Sequence, residues 1–320
     1  MIGAGPAGLT AALYLSRFKR KFLVVDAGDP RASWIPTSHN IPFFAEGISG
    51  PALLKRQKEH AERYGARILR GIVIDLQKSA GSFAATLQLS RTHQPQIRAR
   101  RVLLATGAED NEPSLPGLRD AVQRGLVRYC PICDGFEARD QRIAVIGHGM
   151  RGLGEAIFVA RTYADDVTLL TLGKQMEISQ EQRSRAAQHG IKVVESPVDA
   201  MDVRNGRIEA VRIDGSMMQF DILYSALGLR LRSDLAVKLG AKHDDAGALM
   251  VDEHNQTSVA GLYAAGAIVR GLDQIVVAMG HAAIASTHIH NRCELPTEEE
   301  AGESGKQAGS GSGTAPKTDH

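Results

Sequence analysis

Two cysteines stand one helical turn apart in Cys130-Pro131-Ile132-Cys133, followed at once by Asp134 and Gly135. Sulfurs at that spacing can close a small disulfide ring and reopen it, a two-electron step whose protons the adjacent carboxylate could carry. Zinc is the main competing reading of such a pair. A structural zinc site needs a second pair or two nearby histidines, and none of the 11 histidines stands at such a spacing beside Cys130. The remaining alternative is a pair of inert buried thiols. With Cys293 the chain has three cysteines, too few for a secreted disulfide scaffold, and Cys293 reads as a bystander.

A redox disulfide needs an electron source, and a glycine-rich loop lies on either side of it: Gly3-Ala4-Gly5-Pro6-Ala7-Gly8 and Gly147-His148-Gly149-Met150-Arg151-Gly152. The first runs into an apolar helical stretch, residues 9–17, and then a strand over residues 22–25 that ends in Asp26. Such glycines allow a tight turn and close backbone approach to pyrophosphate, and the helix N-terminus favours phosphate charge. Asp26 follows Gly3 by 23 residues, near the interval of about 20 at which an acid holds ribose hydroxyls.

The second loop, with Gly147, Gly149 and Gly152, repeats the pattern between a strand at residues 143–146, a helix near residues 155–162 and a strand at residues 167–170. Where a ribose-binding acid or a phosphate-binding arginine should follow, the sequence reads Thr171-Leu172-Gly173-Lys174. Neither nicotinamide marker is present, so the loop binds a nucleotide by other means or only turns a corner in a relic.

The elements that must position these groups follow a recognisable order. A helix starting at Ser49-Gly50-Pro51 leads to about Tyr64, and β-rich segments at residues 83–89 and 98–104 end in Ala105-Thr106-Gly107. Strands near residues 207–213 and 220–224 end in Ala226-Leu227-Gly228; a last strand, residues 262–265, ends in Gly266 and feeds an apolar helix over residues 275–291. From Pro296 onward Glu, Gly, Ser, Lys and Thr dominate, the composition of a disordered tail.

At 320 residues and 43% hydrophobic the chain can bury two cores. Its 38 basic and 36 acidic residues are mixed, so no dominant field draws it to nucleic acid or an anionic membrane. No apolar run approaches the roughly 20 residues that span a bilayer, and the first loop glycine at residue 3 leaves no room for a signal peptide. A cytoplasmic location is expected.

Taken together, the GxGPAG loop, Ala105-Thr106-Gly107-Ala108, the Cys130 to Gly135 motif, the second glycine loop and Thr257-Ser258-Val259-Ala260-Gly261-Leu262-Tyr263-Ala264-Ala265-Gly266 resemble the low-molecular-weight thioredoxin reductases. The resemblance covers about residues 1–294. It implies an α/β fold with two Rossmann-like three-layer nucleotide-binding domains, the second inserted into the first: an FAD domain at residues 1–118 plus 229–294, a NAD(P)-binding-like domain with the redox pair at residues 119–228, and the tail at 295–320. It also implies a homodimer that passes electrons from FAD to a thioredoxin-like protein or a small disulfide. In that scheme Cys133 lies nearest the isoalloxazine, Cys130 attacks the partner's disulfide and Asp134 is the acid-base group. Gly3, Gly5, Pro6, Ala7, Gly8, Asp26, Asn40, Ala105, Thr106, Gly107, Gly266 and Gln274 would hold FAD, and Gly147, Gly149 and Gly152 the nicotinamide nucleotide. Read without the family, Asn40 and Gln274 are turn or surface residues.

Four departures bear on the resemblance. The family's arginines for the NADPH 2′-phosphate are missing around Thr171 to Lys174, so use of NAD(P)H is open; members without them take electrons from ferredoxin or act as dithiol oxidases. Ala267 replaces the family's aspartate on the FAD ribityl chain, a loss of about 0.5 to 3 kcal/mol that weakens FAD binding without abolishing it. Phe43 replaces a glycine beside the flavin. Finally, only Met1 and Ile2 precede the first loop, against about five residues in a buried parallel strand. The innermost strand is therefore expected to be nearly missing, its neighbours' backbone groups without partners, and the chain to be clipped or to start upstream. Ala267, Phe43 and the short first strand also define a further alternative, a flavin-poor, non-catalytic relic. His281, His288 and His290 read as surface or dimer-face residues rather than metal ligands, and His148 as a turn residue or ligand contact.

Overall fold

The computed structural model describes residues 1–115, 117–204, 207–213 and 215–293, so the expected tail at 295–320 lies outside the described residues. Two compact units emerge, one of residues 1–30, 56–107 and 231 onward, the other of residues 31–55 and 108–230.

The first unit is built on short parallel strands. Val24–Asp26 pairs with Ile68–Arg70, and Val102–Leu104 with Leu262–Ala264. The gap between the two pairs is closed by Met1 to Gly3. Ile2 bridges both Val25 and Leu104 in parallel, donating to Leu103 O at 3.0 Å and accepting from Ala105 N–H at 2.8 Å, while Gly3 N–H reaches Val25 O at 2.8 Å. The expectation of a nearly missing innermost strand with unpartnered neighbours is thus corrected, because a strand needs only one well-placed residue to satisfy the facing groups on both sides.

Helices Pro6–Arg17 and Ile275–Arg292 pack together over this sheet. Small residues let them approach closely: Ala7, Ala11, Ala282 and Ala285 share a core with Leu15, Leu103, Tyr263 and Ile289. An antiparallel meander, Ile72–Ser79, Ser82–Gln88 and Gln96–Ala99, adds a second core around Leu76, Phe83 and Leu87. The strand expected to run unbroken over residues 98–104 splits at Arg100 and Arg101. Gln96–Ala99 belongs to the meander, whereas Val102–Leu104 is buried on both faces.

The second unit carries a five-stranded parallel sheet in the order Lys192–Val194, Val167–Leu170, Ile143–Ile146, Ile222–Ser225, Val127–Arg128. Its three central strands are buried throughout, as expected of apolar runs covered on both faces. Helix Gly149–Thr162 covers one face through Leu153, Ala156 and Ile157. It starts earlier than the expected residue 155, directly after His148 at its N-cap. Met201, Ile208, Val211 and Ile213 of the antiparallel strands Val198–Arg204 and Arg207–Ile213 cover the other face.

Residues 31–55 and 108–118, assigned on sequence to the first domain, pack with this second unit. Arg31 grips Asp110 with two 2.6 Å hydrogen bonds, and Trp34 joins the core of Leu118, Val122 and Leu126. No described helix is long and apolar enough to cross a membrane.

Candidate active site

Cys130 and Cys133 form a disulfide, their Cα atoms 5.4 Å apart. The intervening turn is built locally. Cys130 is extended at the N-cap, Pro131 supplies a fixed φ at the first helical position, and the helix runs only Pro131–Asp134. Cys133 N–H closes it onto Cys130 O at 3.0 Å, and Gly135 N–H onto Pro131 O at 2.9 Å. Any side chain at Gly135 would run into the Tyr163 ring and the Pro131 carbonyl, so the motif's glycine is sterically required.

Asp134 is held from two neighbouring strands. Tyr224 Oη donates to its Oδ1 at 2.8 Å. Arg128 Nη1 donates to its backbone carbonyl at 2.9 Å, and Arg128 Nε lies 3.7 Å from Oδ2. Burial pushes the Asp134 carboxyl above the ordinary carboxylate range, with Arg128 and then Tyr224 opposing that push. Burial, and secondarily the Asp134 charge, push the Tyr224 phenol well above its ordinary range, so it stays a proton donor in hydrogen bonds.

Asn40, on segment 31–55, belongs to the same neighbourhood. Its Nδ2 donates to Ile132 O at 3.3 Å and its Oδ1 accepts from Ser38 Oγ at 3.0 Å, while His39 N–H reaches Cys133 O at 3.4 Å. Phe43 keeps a left-handed backbone, φ 77°, with its ring fully exposed. Ile132 and Phe136 are also exposed.

In the first unit three predicted segments meet. A Cβ on Gly3 would overlap the Ala105 carbonyl and crowd Thr106, one on Gly8 would overlap the Gly3 carbonyl, and one on Gly266 would come within 3.3 Å of the Ala7 side chain. Gly107 and Gly266 both have positive φ, 71° and 85°. Helix Pro6–Arg17 has Gly5 at its N-cap and no side-chain cap, leaving its first amides for a ligand. Asp26 Oδ1 accepts from Ala4 N–H at 2.9 Å, tying the acid to the loop. Gln274 stands at the N-cap of the final helix, largely buried. Such a side-chain-free cradle fits a dinucleotide diphosphate.

The second loop has the same closeness, a Cβ on Gly147 falling 2.8 Å from Gly152 Cα and 3.2 Å from the Ala226 side chain. Gly149 has φ 59°. After the strand, Leu172 and Gly173 turn left-handed, φ 56° and 83°, and Lys174 Nζ comes 3.1 Å from His148 Nε2.

The family model for pyridine nucleotide-disulphide oxidoreductases matches residues 1–282. The chain belongs to that family. A thioredoxin reductase of Listeria monocytogenes is 30% identical over 306 residues, covering 92% of this chain and 93% of that protein. Among solved structures, thioredoxin reductase from Streptococcus pyogenes has a TM-score of 0.83 at 28% identity, covering 92% of this chain and 96% of that one. HlmI has a TM-score of 0.82 at 27% identity, covering 96% and 95%. The chain is therefore a thioredoxin reductase-like oxidoreductase that acts on disulfides, with the two Rossmann-like domains of that fold.

For this family member, sequence reasoning missed Tyr224 and Arg128. The one available signal was a tyrosine inside a short buried strand. Among the described residues no cluster of His, Cys, Asp and Glu is placed to hold a metal. Two histidines of the final helix go to different neighbours: His288 Nδ1 bonds Tyr263 Oη at 2.9 Å, and His290 Nδ1 accepts from Arg20 Nε at 2.9 Å.

Proposed function

We propose that the chain works in the cytoplasm as a homodimeric, FAD-dependent disulfide oxidoreductase. The observation that carries this reading is the closed Cys130–Cys133 disulfide beside a partly buried, hydrogen-bonded carboxyl in a chain of this family. The glycine segments at Gly3–Gly8, Ala105–Gly107 and Gly266, with Asp26 and Gln274, would hold FAD, which supplies the electron pair when bound. Cys133 receives that pair and the S–S bond breaks; Cys130 then forms the mixed disulfide with a thioredoxin-like protein or a small disulfide, and Asp134 moves the proton. Asn40 steadies the redox turn through the Ile132 carbonyl.

Gly147, Gly149 and Gly152 would hold a nicotinamide nucleotide where one is the electron donor, with Arg151 inside that loop and Lys174 beside His148 as the nearby basic side chains. Replacing Cys130 with Ser should abolish disulfide turnover while leaving the yellow flavin bound. Turnover that persists refutes the assignment of roles. Anaerobic mixing with NADPH, NADH and reduced ferredoxin in turn, watching the flavin bleach, identifies the donor. Peroxide release on adding a dithiol, with no bleaching by any donor, favours the dithiol oxidase reading.

A further inference from the structure

Tyr224 is fully buried on the strand Ile222–Ser225, in register with Val145 on one neighbouring strand and Arg128 on the other. Residues in register on a parallel ladder project to the same face, so the phenol and the guanidinium approach Asp134 side by side. The core around the ring is apolar, with Ile143, Val145, Leu153 and Ala156, and a phenylalanine would fill it equally well. The hydroxyl adds nothing to that packing, and burying it without a partner would cost free energy. Its partner is Asp134 Oδ1.

We propose that Tyr224 is a positioning residue that fixes the Asp134 carboxylate as the proton acceptor for Cys130. The inference rests on the proposed role of Asp134. In the exchange step the Cys130 S–H bond breaks and its proton passes to Asp134. A new S–S bond forms to one sulfur of the external disulfide, whose other sulfur leaves as a thiolate; Cys130 is oxidised and the departing sulfur reduced. Five groups face the carboxyl: Arg128, Tyr224 and His39 favour its charged form, Glu137 disfavours it, and the Tyr163 phenol feels its charge. Burial works against the charge, and the Tyr224 O–H bond offsets part of that penalty at the oxygen itself.

The test uses the full-length protein, reduced with dithiothreitol and desalted, so that neither donor nor flavin turnover enters. The rate of thiol release from dithiobis-nitrobenzoate, and of alkylation by iodoacetamide, is measured against pH. Tyr224→Phe should move the acid limb of both profiles up by about one pH unit, and 3-fluorotyrosine at position 224, a stronger donor, should move it down. Asp134→Asn should leave only the thiolate reactive and move the limb up to the thiol's own titration, about 8.5. An Asp134→Asn profile superimposable on the parent's refutes the role of Asp134 itself. A limb moved in Asp134→Asn but unmoved in Tyr224→Phe, or a Tyr224→Phe rate lowered equally at every pH, overturns the role of Tyr224. If Tyr224→Phe does not fold, an unmoved limb in the fluorotyrosine protein overturns it.

Discussion

Replacing Phe43 with glycine should stabilise the protein, an unusual expectation for removal of an aromatic ring. The backbone there is left-handed, φ 77°, and the ring is fully exposed. Holding a non-glycine residue left-handed costs about 1–2 kcal/mol, and no burial is lost with the ring. Glycine returns about 0.5–1 kcal/mol of that gain as extra freedom of the unfolded chain. The balance is a stabilisation of about 0–1.5 kcal/mol, centred on about 0.8, from these two terms. Phe43→Ala keeps the strain and should stay within about 0.5 kcal/mol of the parent. The assay is urea unfolding followed by the fluorescence of Trp34, the chain's one tryptophan, which sits in the same unit as Phe43. A Phe43→Gly protein less stable than the parent would show that the ring is packed; equal midpoints for the Gly and Ala variants would remove the strain argument.

Three further outcomes are expected. Gly8→Ala, whose Cβ would enter the Gly3 carbonyl, should cost about 1–3 kcal/mol and release flavin, seen as loss of visible absorbance after gel filtration; retained colour and stability would count against the cradle. Arg31→Gln removes a two-bond grip on the half-buried Asp110 and should lower stability by about 1.5–3 kcal/mol, read from Trp34 unfolding. Burial holds both His281 and His288 below the ordinary histidine value of 6.5. The unfolded chain then binds more protons, so their stability contribution is complete above that value and is lost as pH falls through it and on toward the folded-state values. Melting temperatures across this window should fall more steeply for the parent than for a His281→Gln, His288→Gln protein, and parallel slopes would contradict this.

The redox turn and both glycine loops were legible because their information is local: two sulfurs three residues apart, or glycines within six residues, fix geometry without the rest of the chain. The Asp134 clamp was not legible, since Tyr224 lies 90 residues away in sequence and reads as one more large residue of a buried strand. The grip of Arg31 on Asp110, 79 residues apart, is hidden for the same reason, and with it the packing of residues 31–55 on the second unit. Ile2 escaped because strand signals require a run of residues, whereas a bridge requires one. The break at Arg100 and Arg101 was misread because Arg98 and Arg100 alternate as the solvent face of an edge strand would.

Gly3, Gly8 and Gly266 leave their space to backbone and alanine methyls that also seat the paired helices over the sheet. Ligand recognition and scaffold cohesion therefore draw on the same few atoms. A side chain added at any of the three glycines would disturb the ligand cradle and the seating of its helix at once.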